Sequence, residues 1–504
     1  MSDRRRNRRS RRDRRKTSAP SQESSYLTRD IPVYELLEAE ETELIHEKSL
    51  EILEEVGIDF YLEEALEILK KHGVKVEGET AYFTPQQIEE HLSQAPSEFT
   101  QLGRNPEKNV VIGGEHVVFA PVYGPPFVTD LEGGRREATL EDFENFVKLA
   151  YLSPYMHHSG GTIVEPTDVP TETRHLDMLY SHIKYSDKPF MGAVMSKEHA
   201  QDSVRMVEII HGEEAVRENP ALISLINISS PRRLDDRMLE ALTVYAKARQ
   251  AVIITPFIMA GAMSPVSLAG TLIQQNAEAL AGLTYAQMIE PGTPVVYGSF
   301  MTNVDLKSGA PVFGSPESQM ALLASAQMAH FYKLPFRSGG MFASSKLTDA
   351  QAAYESVMTM LPAVLGRVNF VLHAAGWLEN GLTAGYEKFI LDCEMLGMFQ
   401  KLSQGIDFSE EALAMDSLRD VEPGGHHLGT QHTMRNFTTA FYRSEIFDYK
   451  DIDQWVEEGS RSSLEIASET VKELLANYQA PELDPDLDQK LQDFIRTRKE
   501  EIQP

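Results

Sequence analysis

The sequence predicts an α/β fold, a (β/α)₈ TIM barrel with helical extensions at both ends. Three observations predict it. From residue 116 to 404, apolar runs alternate with helical stretches. The runs are continuous rather than alternating, as parallel strands buried on both faces are. Eight such strand–helix units fill about 290 residues, the usual span of this architecture.

The first 30 residues read as a disordered basic tail. Residues 1–16 carry nine Arg and one Lys against two Asp, which leaves −36 on the rest of a chain whose total is −28. Residues 31–115 read as a helical N-terminal cap. Leu36, Leu37, Leu44, Ile45, Leu50, Ile52 and Leu53 fall near helical spacing, with Gly57 as a stop. A second helix ends at Gly73, and Thr84-Pro85 opens a third, since proline suits the first helical position. Strand-like runs follow near 99–102, 110–112 and 117–120.

The barrel strands are expected at 116–121 (HVVFAP), 157–161 (HHSGG), 190–195 (FMGAVM), 222–228 (LISLINI), 251–257 (AVIITPF), 294–300 (PVVYGSF), 335–340 (PFRSGG) and 369–375 (NFVLHAA). Helices follow near 139–152, 172–185, 197–211, 235–248, 267–289, 316–332, 348–365 and 385–403. Thr139 with Asp142, Thr171 before a Glu, and Pro316 before Glu317 are start signals. An open doubly wound sheet is the competing reading. No G-x-G-x-x-G follows the first strand and no G-x-x-x-x-G-K-[ST] loop is present, which weakens nucleotide-binding versions. Residues 405–504 read as a C-terminal helical extension and tail.

Composition narrows the function. An acidic body disfavours nucleic acid, because phosphate binding needs clustered cations. No run of ~18 apolar residues offers a membrane helix. One cysteine, Cys393, rules out a disulfide framework and a Cys-based metal site, and the free thiol fits a reducing cytoplasm. A homo-oligomer is an expectation from its frequency among soluble enzymes.

In this fold the site lies where the strands end. Tyr123, Gly160, Thr162, Met195, Asn227, Ser229, Phe257, Met259, Phe300, Thr302, Asn303, Gly340, Met341, Phe342, His373, Trp377 and Glu379 fall there. That rim is aromatic, sulfur-rich and amide-rich, with few carboxylates. It lacks the His and Asp ligands of a metal hydrolase, a strand lysine for a Schiff base, and a G-x-S-x-G elbow. Ring faces hold quaternary ammonium groups by cation–π attraction, and Tyr123, Phe300, Phe342 and Trp377 are candidates for such a box. Arg337, on the seventh run, is costly to bury unpaired. It suits a substrate carboxylate or a structural ion pair with Glu317 or Glu355. His426, His427 and His432 in PGGHHLGTQHT have metal-like spacing without a carboxylate-rich partner, so a metal-assisted lyase or hydrolase is a second reading. A Gly-rich loop over the mouth is the plainer one. A non-catalytic quaternary-amine binder is a third.

The runs GTPVVYGSF, GAPVFGSPE, LPFRSGGMFASSKLTDAQAAYES, GWLENGLTAGYEKFILDCEMLG and PGGHHLGTQHT resemble the trimethylamine methyltransferase superfamily, the corrinoid-dependent methyltransferases, over about residues 30–475. The resemblance implies a (β/α)₈ barrel. It also implies methyl transfer to Co(I) of a separate corrinoid protein, with no cofactor tightly bound to this chain. Founding members carry pyrrolysine at a position that aligns near Gly340–Met341, where this chain has ordinary residues. Members without it resemble quaternary amine demethylases. The implied substrate is glycine betaine, with proline betaine, carnitine or another betaine as alternatives. On that reading Tyr123, Phe300, Phe342 and Trp377 face the methylammonium end. Arg337, His373 or the backbone at Gly339–Gly340, beside Met341, meets the carboxylate, and Asn303 and Glu317 order the loop after the sixth strand.

Overall fold

The computed structural model describes residues 25–502. At its centre run seven parallel strands, each followed by helix: β1 (His116–Phe119), β2 (Phe190–Met191), β3 (Leu222–Ile228), β4 (Ala251–Ala260), β5 (Val295–Gly298), β6 (Phe336–Gly339) and β7 (Phe370–Leu372). They lie in the order β2-β3-β4-β5-β6-β7-β1. The register runs through Ile223↔Ala251, Val252↔Val295, Gly298↔Arg337, Arg337↔Phe370 and Phe370↔Val118. The helices are α1 (Leu140–Leu152), α2 (Arg174–Tyr185), α3 (Lys197–His211), α4 (Asp236–Lys247), α5 (Leu268–Ile289), α6 (Pro316–Phe331), α7 (Ala350–Leu365) and α8 (Tyr386–Ser403).

Each face of the sheet buries its own cluster. Val118, Ile223, Leu225, Ala251, Ile253, Val296, Phe370 and Leu372 share one face. Ile226, Val252, Ile254, Val295, Tyr297 and Phe336 share the other, under the helices. This two-sided burial is why the strands read as unbroken apolar runs. The hairpin Glu98–Gln101 and Val110–Gly113 extends antiparallel from β1, and its Phe99, Val110 and Ile112 join the first cluster.

The expected second strand, 157–161, is not a regular strand. The amides of His157 and His158 both donate to the Phe119 carbonyl (3.1 Å each), and the Ser159 amide donates to Pro189 O (2.8 Å). Met191 N donates to Gly160 O (2.8 Å). The segment therefore bonds to β1 and β2 on either side. Its ladder is broken because the His157 Nδ1 accepts from the Phe119 amide (3.1 Å), and because Gly160 has φ +95°. A side-chain nitrogen has replaced a main-chain acceptor.

Other expectations shift at the edges. The tail is expected through residue 30, but its described residues, 25–30, are packed on the body. Leu27–Thr28 pairs with His116–Val117, and Arg29 is buried, its Nε donating to Val364 O (3.0 Å). Residues 1–24 lie outside the described residues. The N-terminal region has the helices Ala39–Glu51, Glu63–Lys71 and Pro85–Leu92, but also a small sheet of Ile58–Phe60, Lys75–Glu77, Thr80–Tyr82 and Arg233–Leu234. It seats on α5, where Asn276 Nδ2 donates to Ser49 Oγ (2.9 Å). The Thr84 and Thr139 caps form as expected, each with a reciprocal bond from the third helical residue. Helix α2 begins after Thr173, not Thr171. After α8 come four short α-helices and one 3₁₀ turn, then Ser463–Ala476 and Pro485–Ile502. No described helix is long and apolar enough to cross a membrane.

Candidate active site

The site begins with side-chain parity. Phe336 points to the helices, so Arg337 points to the opposite face, into the first cluster. The same row carries Asn227 on β3, Thr255 on β4 and Gly298 on β5, side by side with Arg337 on β6. Gly298 lets β4 pack close: a Cβ there would stand 2.1 Å from Thr255 Oγ1, so only glycine leaves that hydroxyl its place.

Arg337 is 1% exposed. Its Nη2 lies 3.1 Å from His373 Nε2, and its Nε and Nη1 are buried without a partner. Thr255 Oγ1 is another buried polar atom with none. Neither carboxylate expected to pair with Arg337 does so. Glu317 is exposed in the first turn of α6, and Glu355 accepts from the amides of Ser344 (2.7 Å) and Ser345 (3.1 Å). Burial pulls the Arg337 pKa down to about 9, so it stays a cation at neutral pH. Burial, reinforced by the Arg337 charge, holds His373 well below the usual histidine range.

His373 is held in the left-handed region (φ +63°), which costs energy for a non-glycine residue. Its amide donates to Pro121 O (3.1 Å) and its carbonyl accepts from Met341 N (3.0 Å). Its Nδ1 meets the Tyr123 amide at 3.2 Å. Both ring nitrogens thus face donors, whereas a neutral imidazole accepts at only one.

The expected aromatic residues converge in part. Phe300, Phe342, His373 and Trp377 form one cluster, joined by Phe313, which the sequence reading missed. Ring centroids lie 4.5 Å apart for His373–Trp377, 4.8 Å for Phe342–Trp377 and 5.1 Å for Phe300–Phe342 and Phe313–Phe342. Phe342 lies against Gly339, where a Cβ would stand 1.7 Å from the ring. The rings fill one another, and the void beside Phe300, Phe313 and Phe342 is about 10 Å³. The cluster is therefore a wall and not an open cage. Its partly exposed face is Phe300, with Phe257 at 5.1 Å.

Tyr123 stands apart from that wall. It lines a cavity of about 240 Å³ with Gly161, Glu165, Met178, Met191, Met195, Asn227 and Met238. Asn227 and Tyr123 connect this cavity to the polar row and to His373. Asn303 accepts from Ser315 Oγ, so the segment after β5, a strand Phe300–Val304 paired with the end of β4, is tied to the cap of α6 by Ser315, not by Glu317. Gly340 is packed against Met360 and Val371, and Met341 is buried in the helix-side core. Neither lines the cavity at Tyr123 or the void beside Phe300. His427 bonds Ser417 Oγ (2.9 Å) and His432 bonds Glu411 O (3.0 Å), both on an exposed segment. Among the described residues no group of three His, Cys, Asp or Glu could hold a metal ion. Thr255 and Phe313 went unread because each lies within an apolar run. The inner-face parity of Thr255 was its only signal.

These features define an α/β enzyme whose strand ends present a buried cation, unsatisfied donors and a ring wall to a small polar ligand. The chain belongs to the trimethylamine methyltransferase family, whose model matches residues 4–503. It is a methyltransferase. It is 49% identical over 473 residues to the glycine betaine methyltransferase of Desulfitobacterium hafniense (strain Y51), covering 94% of this chain and 98% of that one. It is 30% identical over 459 residues to the proline betaine:corrinoid methyltransferase of Eubacterium limosum, covering 88% and 93%. The crystal structure of the Methanosarcina barkeri monomethylamine methyltransferase aligns with a TM-score of 0.46 at 11% identity, over 86% of this chain and 98% of that chain.

Proposed function

We propose that the chain demethylates glycine betaine, delivering the methyl group to Co(I) of a corrinoid carried by a separate protein. One observation carries the reading: Arg337 is buried and cationic, and two of its nitrogens lack a partner. A buried cation without an anion is costly, and a bound carboxylate removes that cost through charge-assisted bonds. The Thr255 hydroxyl and Asn227 amide sit in the same row to receive it. The trimethylammonium group then lies in the cavity of about 240 Å³ beside Tyr123, where the ring face and the sulfurs of Met178, Met191, Met195 and Met238 suit a cation with no donors.

The chemistry asks little else of the protein. As the C–N bond breaks, its electron pair stays on nitrogen, and a neutral tertiary amine departs. The methyl carbon takes its new pair from Co(I). No proton moves, so no general acid or base is required. The residues act by alignment and by keeping water out. The same reading closes the sheet into an eight-stranded barrel, with 157–161 as the eighth member between β1 and β2. The amide bonds of that segment to both neighbours support it.

The relative that acts on proline betaine supports a second substrate with the same carboxylate and a bulkier ring. The test is conversion of Co(I) to methyl-Co(III), followed by its absorption spectrum, with glycine betaine, proline betaine, carnitine and trimethylamine in parallel. Conversion with glycine betaine and not with trimethylamine is expected. Conversion with trimethylamine alone would overturn the reading.

A further inference from the structure

Helices α2 and α3 wall the cavity at Tyr123 with a pair of histidines. His175, in the first turn of α2, and His199, in the first turn of α3, both line it. Their rings stack with centroids 3.7 Å apart and planes 16° from parallel. Each Nδ1 is buried without a partner. Burial, reinforced by His175, lowers the His199 pKa to about 4. Two rings this close cannot both be cations, because like charges repel strongly in a buried site.

The stack is tied to the far end of the chain. His175 Nε2 lies 3.0 Å from one oxygen of Asp202 on α3. The other oxygen accepts from Arg498 Nε (2.7 Å), on the helix Pro485–Ile502. Asp202 is 4% exposed. Burial works against its charge, but the bonds from His175 and Arg498 hold it below the usual carboxylate range. The other charges around His175 cancel in pairs: Arg174 with Glu165 (2.9 Å), and Lys499 with Asp177 (2.6 Å). His182, also on the cavity wall, is held between Ser159 Oγ and Gly161 O.

We propose that Arg498 is a positioning residue for the cation site: as the counter-charge of Asp202, it leaves His175 uncharged and stacked on His199 in the cavity wall. A buried carboxylate needs a cation beside it. Arg498 supplies one from outside the cavity. Without Arg498, the carboxylate's other partner, His175, must supply the charge by taking up a proton from solvent. That charge sits on the wall that receives the trimethylammonium group, and repels it. The inference rests on the proposed substrate being a cation.

Calorimetry on the full chain with two ligands tests this. One is glycine betaine; the other is tert-butylacetate, which has the same shape with carbon in place of the charged nitrogen. R498Q is expected to raise the Kd of glycine betaine by about tenfold or more and to change that of tert-butylacetate little. R498K should restore glycine betaine binding. So should the double variant D202N/R498Q, which has no carboxylate to neutralise. K499Q removes another ion pair of the same helix and should change neither Kd. Nitrogen NMR of the imidazoles reads the charge with no ligand present, the His175 signal being assigned with H175N. R498Q should move that signal towards the charged form. The same NMR change in a chain that binds no glycine betaine would sink the substrate reading and leave the charge assignment standing. Equal weakening of both ligands in R498Q, weakening of neither, or an unchanged His175 signal would overturn the proposal. If R498Q alone fails to fold, the double variant carries the test: loss of glycine betaine binding there, with tert-butylacetate still bound, would overturn it.

Discussion

Arg337 and His373 meet 3.1 Å apart, but the histidine cannot satisfy the arginine. The imidazole is neutral, and its other nitrogen already faces the Tyr123 amide. Whichever nitrogen carries the proton, one donor is left opposed. The guanidinium is thus held in place and left incomplete until an anion arrives.

Replacing Arg337 with Met should therefore act in opposite directions on binding and stability. Removing one member of a buried charge pair costs about 2–5 kcal/mol, so the Kd for glycine betaine should rise about 30-fold to several thousand-fold by calorimetry. The ligand-free protein should melt higher, because an unpaired buried cation is gone and an apolar side chain of similar length replaces it. A lower Tm in the free variant would argue for a structural role.

Histidine burial predicts the acid side of stability. His182 is neutral between Ser159 Oγ (2.7 Å) and Gly161 O (2.8 Å), and burial lowers its pKa to about 4; His157 is lowered to about 3. Between pH 6.5 and 4 the unfolded chain takes up protons that the folded chain refuses. Stability is then full above pH 6.5 and falls as pH drops, by about 1.4 kcal/mol per pH unit for each such histidine. Urea unfolding at pH 7 and 5 should show the loss, and His182→Asn should flatten the slope.

Gly339 is required by the ring wall. Gly339→Ala places a methyl group inside the Phe342 ring position, so the ring must move. Overpacking of this kind costs about 1–3 kcal/mol. The Tm should fall, and Trp377 fluorescence should change as its neighbour at 4.8 Å shifts. Adding Phe342→Leu should recover the Tm, a coupling that a double-mutant cycle would measure.

Asp392 positions the turn before Trp377. Its carboxylate accepts from Gly376 N (2.9 Å) and from buried Lys388 Nζ (2.5 Å). Asp392→Asn leaves Lys388 buried without its counter-charge and should cost about 3–5 kcal/mol in chemical unfolding. Lys388→Met with Asp392→Leu should cost much less, which separates loss of a pair from exposure of an unpaired charge.

Much of the fold was legible because its signals are local. The run LISLINI is the strand Leu222–Ile228, residue for residue, and Lys197–His211 matches the expected helix. Apolar periodicity and caps act within a few residues, and the sequence displays them. The segment HHSGG misled because its ladder partner is an imidazole nitrogen, a contact no pattern of hydropathy records. Glu317 misled because proximity along the chain stood in for proximity in space.

The sequence by itself determined seven of the eight expected central strands, the helices that follow them and the presence of an arginine on the strand Phe336–Gly339, since each follows from spacing along one chain. Tertiary structure alone decided that this arginine has no carboxylate beside it. It also decided that Thr255, Gly298 and Asn227 share its row, and that the aromatic residues fill one another and leave Tyr123 on a separate cavity. These are relations between strands far apart in sequence. They depend on register and on which side chain occupies the remaining volume, and both are set only when the sheet packs.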